Sequence, residues 1–238
     1  MSDLIQSIQV LTPEEVKFVN SEIDKKEFQV SMIGFSDDGT GVLCPRVDPD
    51  VRSSSVTYLK DDEEVTKVMH EGINNSLLEY RQRLMEIHPT FDGYPVPGGF
   101  MTTSSREEIQ VLEYVENQKY TWHTDASPMP DSKEYHRKIS VILYLSDDFG
   151  GGTTKFVHQD YKPPIGHALI FPSNWCFPHC GAPVTSGKKR VAVTWYFVND
   201  LNVWLLNKFN YNHSMSYSDE FLENITIDVC KRTFMLHS

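Results

Sequence analysis

The stretch Tyr114-Val115-Glu116-Asn117-Gln118-Lys119-Tyr120-Thr121-Trp122-His123-Thr124-Asp125 decides how this chain is read. It closes on a His-X-Asp pair. Residues two apart on a strand point to one face, so His123 and Asp125 can offer an imidazole nitrogen and a carboxylate oxygen to one metal ion. From a helix the two side chains would diverge. A third ligand completes the two-histidine, one-carboxylate face that leaves open positions on non-haem iron, and His179 in Phe177-Pro178-His179-Cys180-Gly181 is the candidate. The pair alone is a weak signal, because nine histidines make chance pairs easy and a second one stands at His158 and Asp160. That second pair sits between a short strand and the turn formers Pro163-Pro164-Ile165-Gly166, which favours a solvated strand end.

Outward from this stretch, the second half of the chain reads almost entirely as strand. Ile109 to Val115 and Tyr120 to Asp125 flank the turn candidate Glu116 to Lys119, which predicts a hairpin with Tyr114 and His123 on neighbouring strands. Residues 126 to 136 are polar and carry two prolines, a loop beside the proposed metal. Ile139 to Leu145 is nearly continuous apolar sequence, and Gly150-Gly151-Gly152 is a turn. Thr153 to Val157, Ala168 to Phe171 and Val191 to Val198 complete the strands.

The first half supplies helices. Thr12-Pro13-Glu14-Glu15 reads as a capping box with proline at the first helical position, followed by apolar Val16, Phe18, Val19 and Ile23. A second helix starts near Asp61 and runs on Val65, Val68, Met69, Ile73, Leu77, Tyr80 and Leu84, close to the helical period. Short strands are expected within Phe28 to Phe35 and over Ser55 to Leu59. Residues 89 to 106, rich in proline and glycine, read as a long loop. Six or more short strands after two helices give an α+β, mainly β fold, an antiparallel jelly roll (double-stranded β-helix) buttressed by N-terminal helices. The expected organisation is one domain over 1–238, with support at 1–108, a core at about 109–198 and a C-terminal extension at 199–238. The extension carries Trp204, Leu205, Leu206 and a final helix over Ser218 to Cys230, and packs onto the domain.

With 39% hydrophobic and 23% charged residues, the composition is that of an ordinary globular chain. No apolar run approaches the roughly 18 residues of a membrane span, and Met1-Ser2-Asp3-Leu4-Ile5-Gln6 lacks the pattern of a secretory signal. A cytoplasmic location without membrane association is expected. Cys44, Cys176, Cys180 and Cys230 have neither metal-site spacing nor the density of a disulfide framework, so free thiols are expected. A net charge of -11 without a local Lys/Arg cluster argues against nucleic acid as a partner and makes a basic or neutral ligand easier to accommodate.

The segment after His179 narrows the chemistry. On a strand, Lys189, Val191, Val193 and Trp195 share one face, and Arg190, Ala192 and Thr194 share the other. If His179 faces the metal from an adjacent strand, a cation on that inner face can anchor the far carboxylate of a dicarboxylate chelating the iron. Lys189 is the candidate anchor and Arg190 the alternative, since a guanidinium would bind a carboxylate bidentately.

The chain resembles the iron(II)- and 2-oxoglutarate-dependent dioxygenases, in particular the prolyl 4-hydroxylase catalytic domain, from about Leu11 to Phe197. The matching pieces are Leu-Thr-Pro-Glu-Glu-Val at 11 to 16, Val-Arg-Ser-Ser at 51 to 54, and Tyr-X8-His-X-Asp at 114 to 125. They continue with Arg-Lys-Ile-Ser-Val-Ile-Leu-Tyr-Leu at 137 to 145, Gly-Gly-Thr-Thr-Lys-Phe at 151 to 156, and Pro-Pro-Ile-Gly-His-Ala-Leu-Ile-Phe at 163 to 171. The last is His-X3-Pro-Val-X2-Gly-X-Lys-X5-Trp at 179 to 195. The resemblance implies iron(II) on His123, Asp125 and His179, and 2-oxoglutarate on Tyr114, Thr154 and Lys189. It places Arg137, Trp195 and Tyr120 at a peptide substrate, and implies dioxygen and ascorbate as further reactants. The implied reaction is hydroxylation of a substrate C–H bond with release of succinate and carbon dioxide, on a proline-containing peptide or protein. The usual Gly-Gly-Glu-Thr stands here as Gly-Gly-Thr-Thr, and no Tyr or Phe directly follows Asp125. These departures leave two alternatives open: a hydroxylase of another residue or a small metabolite, and a non-catalytic binding module on the same fold.

Overall fold

The structure is a computed structural model, and it describes residues 2–37, 43–93, 102–129 and 132–200. The expected helix at 218–230 and the apolar cluster at 204–206 lie outside the described residues. In chain order the elements begin with β1 (Gln6–Gln9), α1 (Pro13–Ile23), β2 (Gln29–Val30), β3 (Phe35–Asp37), β4 (Leu43–Pro45), β5 (Ser55–Leu59) and α2 (Glu64–Ile87). After them come β6 (Thr102–Arg106), β7 (Ile109–Tyr114), β8 (Tyr120–His123), β9 (Arg137–Tyr144), β10 (Phe149–Gly151), β11 (Thr154–Phe156) and β12 (Asp160–Tyr161). The last are β13 (His167–Pro172), β14 (His179–Gly181), β15 (Val184–Gly187) and β16 (Lys189–Asp200).

The helices start for the expected reasons. Thr12 Oγ1 accepts from the Glu15 backbone N–H, and the Glu15 carboxylate accepts from the Thr12 backbone N–H, so two orphan donors of α1 are satisfied. Val16, Val19 and Ile23 are its buried stripe. The apolar period of α2 likewise buries Val65, Met69, Ile73, Leu77, Tyr80 and Leu84. Gly72 allows this helix to approach the chain after β1, because a Cβ there would lie 2.4 Å from the Val10 carbonyl oxygen. We expect Gly72→Ala to cost about 1–3 kcal/mol through overpacking, despite alanine's better helix propensity. Urea unfolding followed by circular dichroism measures this.

The strand pairs whose register is described are antiparallel. The major sheet runs β1-β13-β9-β16-β7-β5-β2, with β6 also on β16, and the minor sheet runs β12-β11-β14-β8. β10 pairs with β15 and β3 with β4. Strand alternation sorts the major sheet between two cores. Val111, Leu143, Ala168, Ile170 and Ala192 pack with the helices, while Leu112, Tyr144, Leu169, Phe171, Val191 and Val193 pack toward Phe156 and Phe177. The unbroken apolar run of β9 follows, since both of its faces are covered. The jelly roll buttressed by N-terminal helices is the observed architecture.

Three local expectations need correction. Ile109–Tyr114 and Tyr120–His123 do not form a hairpin: β7 pairs with β16 and β5 in the major sheet, and β8 pairs with β14 in the minor sheet. The turn between them carries the chain across because it is tied to β15, with Asn117 N donating to Val184 O and Val184 N donating to Gln118 O. Within 89–106, Pro89–Gly93 is a 3-10 turn and Thr102–Arg106 a strand, while 94–101 lie outside the described residues. The strand expected from Phe28 is broken into β2 and β3 around Gly34, whose φ is +136°. Among the described residues no helix is long and apolar enough to cross a membrane. Cys176 and Cys180 are free thiols, and the side chains of Cys44 and Cys230 lie outside the described residues.

Candidate active site

The register of the minor sheet sets the site. β14 and β8 place His179 directly opposite His123, and the chain leaving β8 is held by Ala126 N to Ser173 O at 2.9 Å, which brings Asp125 between them. His123 Nε2 lies 3.7 Å from Asp125 Oδ1, and His179 Nε2 lies 3.7 Å from Asp125 Oδ2. Three ligand atoms from these residues fall within 4.8 Å of one another. Each ring is oriented through its other nitrogen: His123 Nδ1 is 2.8 Å from Thr121 O, and His179 Nδ1 is 3.1 Å from Phe177 O. A carbonyl can only accept, so Nδ1 carries the proton in both rings and each Nε2 presents a lone pair.

Electrostatics favour the same state. Burial, reinforced by the neighbouring His179, holds the His123 imidazole well below its ordinary value, so it stays neutral. Burial alone would raise the Asp125 carboxyl. His179 and His123, with hydrogen bonds from Ser140 and Trp195, outweigh that and hold it below the usual range. Ser140 Oγ donates to Asp125 Oδ2 at 2.6 Å and is 2.8 Å from Ser173 Oγ. Two imidazoles oriented through Nδ1 and one fixed carboxylate on one side of an open cavity suit a divalent first-row metal such as iron(II). The second pair does not: His158 and Asp160 are exposed, and Asp160 pairs with Lys155 at 3.0 Å.

The three residues open into a cavity of about 520 Å³ between the sheets, also lined by Arg52, Tyr114, Tyr120, Glu134, Arg137, Thr154, Lys189 and Trp195. The expected faces of β16 hold. Lys189 is 4% exposed, and its Nζ donates to Gly152 O at 2.7 Å and lies 5.1 and 5.6 Å from the ring centres of Tyr144 and Tyr114. Gly151 and Gly152 both have positive φ, near +60°, and this left-handed turn aims the Gly152 carbonyl at Lys189. No carboxylate of the described residues pairs with this ammonium, and burial lowers its pKa to about 7.

Arg190, the alternative anchor, is turned to the opposite face, where Glu113, Asp24 and Asn20 bind its guanidinium at 2.6 to 2.8 Å. It ties α1 to the sheet and does not line the cavity.

Tyr120 stacks on His123, with ring centres 3.7 Å apart and planes at 20°. Arg137 lies over the Trp195 ring at 3.8 Å, and its Nη1 donates to Asp125 O. Three contributors were not singled out as site residues in the sequence. Glu107, 7% exposed, accepts Arg137 bidentately at 2.6 and 2.9 Å. Tyr144, whose hydroxyl is 2.7 Å from Thr154 Oγ1, contributes a ring against Lys189. Arg52 sits over Tyr120, 5.0 Å from the ring centre. Tyr144 is hidden inside the apolar run of β9. Arg52 stands in the Val-Arg-Ser-Ser piece, the one signal that could have marked it.

Residues 109–198 match the family model of the 2OG-Fe(II) oxygenase superfamily. The resemblance read in the motifs therefore holds, and iron(II), 2-oxoglutarate and dioxygen are the cofactor and cosubstrates that this superfamily implies. Prolyl 4-hydroxylase 2 of Arabidopsis thaliana is 25% identical over 219 residues, covering 78% of this chain and 64% of that protein. The chain spans less than two thirds of the length of the curated relatives it matches, 35% to 64% for four of them. In fold, the chain is similar to a viral collagen prolyl hydroxylase from Paramecium Bursaria Chlorella virus-1, with a TM-score of 0.56 and 20% identity over 81% of this chain and 95% of that one. It is also similar to a prolyl hydroxylase from Trichoplax adhaerens in complex with a hypoxia inducible factor peptide fragment, with a TM-score of 0.59 and 16% identity over 82% and 84% of the two chains.

Proposed function

We propose that this protein is an iron(II)- and 2-oxoglutarate-dependent dioxygenase that hydroxylates a C–H bond of a peptide substrate, with a prolyl residue as the target. The convergence of His123, Asp125 and His179 on one point, in the same cavity as a buried ammonium that no carboxylate of the described residues pairs with, carries this reading. Iron(II) held by the three residues would supply the redox chemistry that couples decarboxylation of 2-oxoglutarate to succinate with hydroxylation of the substrate.

The remaining work falls to the chain's own residues. Lys189 pairs with the distal carboxylate of the cosubstrate in a setting of low polarity, where the ion pair is strong. The hydroxyls of Tyr114 and Thr154 complete that end of the cavity. The Thr121 and Phe177 carbonyls hold both imidazoles in one tautomer. Arg137 and Trp195 form a flat wall against which a substrate ring or peptide plane can lie, and Tyr120 shields His123 from water.

Relatives named as prolyl hydroxylases, one of them solved with a peptide, support the substrate class. The test is succinate formation by anaerobically iron-loaded protein on admission of oxygen, with and without a proline-rich peptide, together with mass spectrometry of the peptide. Peptide-stimulated succinate with a 16 Da gain on proline is the expected result. Stimulation by a different substrate class would move the target residue, and an absence of both iron binding and turnover would overturn the oxygenase reading.

A further inference from the structure

The charges lining the cavity do not cancel evenly. Among the described residues five fully charged types line it: Arg52, Asp125, Glu134, Arg137 and Lys189. Glu107 neutralises Arg137 through two hydrogen bonds. Glu134 accepts from Ser132 at 2.6 Å and is flanked by Arg137 and Lys133. In the proposed function Asp125 belongs to the metal and Lys189 to the cosubstrate. Arg52 is left over.

Arg52 is 9% exposed, yet among the described residues its side chain makes one hydrogen bond, from Nε to Ser54 Oγ at 3.2 Å, and no carboxylate pairs with it. Among the described residues its Nη1 and Nη2 groups have no acceptor. The residue is also fixed in place. Its backbone N–H donates to Asp48 O, it forms a β-bridge with Tyr120, and its guanidinium lies over the Tyr120 ring. That ring in turn stacks on His123. A guanidinium largely withdrawn into a cavity wall and lacking a counter-charge is a ready site for a carboxylate, which it can bind bidentately.

We infer that Arg52 is a specificity-determining residue that receives a carboxylate carried by the substrate, on the modified residue or one residue away from it. This rests on the function proposed above and narrows its substrate to an acidic one. The separation follows from the contacts, because a single aromatic ring stands between Arg52 and the ligand His123, and one extended residue spans only about 3.3–3.6 Å. The contrast with Arg137 carries the inference: of the two arginines lining this cavity, Arg137 is compensated by Glu107 and Arg52 by no carboxylate among the described residues. The net charge of -11 does not oppose it, since exposed charges are screened beyond about a Debye length of 8–10 Å and a buried pair is screened far less. Two sources share this chemistry, an Asp or Glu side chain and the free α-carboxylate of a chain end or amino acid.

The experiment is calorimetric binding to full-length protein loaded with manganese(II) and 2-oxoglutarate, so that no turnover occurs. One probe pair is N-acetyl-Ala-Pro-Asp-Ala-amide and its Asn counterpart, and the other is N-acetyl-Ala-Pro with a free carboxyl and its amide. In the native protein the carboxylate member of at least one pair should bind about tenfold or more tighter, in keeping with a charge-assisted bond. Preference within the first pair assigns the side-chain source, and preference within the second assigns the chain end. In Arg52→Gln the ratio should fall below about threefold with the neutral probes unchanged, and Arg52→Lys should recover part of it. Equal binding within both pairs overturns the inference and needs no variant. So does a preference that survives in Arg52→Gln, or a variant that loses 2-oxoglutarate affinity while keeping the preference. Peptide-free 2-oxoglutarate binding and slow uncoupled succinate formation by the native protein test the oxygenase reading separately, so the two can fail independently.

Discussion

Asp125→Ala should lower iron(II) affinity by more than about 10²-fold and abolish succinate formation, because even outer partners of a metal ligand cost about 10–100-fold when removed. Asp125 is the only anion in the ligand cluster and bridges both imidazoles at 3.7 Å. Without it the two neutral nitrogens must hold a dication with no compensating charge. The Ser140 and Trp195 donors also lose their acceptor, a cost to the fold of about 1–3 kcal/mol. That cost is offset in part because a largely buried carboxylate no longer has to be desolvated. Asp125→Asn separates the two effects, since the amide oxygen can still accept from Ser140 while the charge is gone. Anaerobic metal titration and thermal melting are to be read together. Full iron retention in Asp125→Ala would remove the carboxylate from the ligand set.

Lys189→Met should raise the KM for 2-oxoglutarate by about 10²-fold, roughly the 1.5–3 kcal/mol of a hydrogen bond to a charged group, with iron binding retained. The pH dependence has a definite sign. Burial lowers the Lys189 pKa to about 7 in the free protein, and a bound carboxylate raises it again. Below about pH 7 the ammonium is already formed and 2-oxoglutarate affinity is flat. Above it, binding must take up a proton, so affinity falls by up to tenfold per pH unit until the raised pKa is passed. Calorimetry at pH 8 in two buffers of different ionisation enthalpy should report that proton uptake in the native protein and not in Lys189→Met.

Stability runs the other way. The unfolded chain holds this proton up to about pH 10.5, so the unfolded state binds more protons between about pH 7 and 10.5, and native stability rises with pH across that window. At neutral pH Lys189→Met is therefore expected to unfold at higher urea than the native protein, although it loses the bond to Gly152 O. A variant with weak cosubstrate binding and lowered stability would instead make Lys189 a structural residue.

Periodicity and short motifs carried much of this molecule. The capping box at Thr12 and Glu15, the helical stripe from Val65 to Leu84 and the strand alternation of Lys189 to Trp195 are local, and each fixes which face of one element is buried. The same alternation separated Lys189 from Arg190, since a pleat sends neighbours to opposite faces whatever the sheet does. Partner choice is not local. Residues 109–114 and 120–123 look like a hairpin by spacing, but two backbone hydrogen bonds between the turn and β15 send the second strand to the other sheet. Only that crossing sets His123 opposite His179, 56 positions along the chain. The compensation of Arg137 by Glu107 and the lack of any such partner for Arg52 among the described residues belong to the same class. A charge in a sequence has no counter-charge assigned to it until the chain has folded around it, so the proposed ligand set could be read as a pattern, whereas the charge balance of the cavity was decided by tertiary packing.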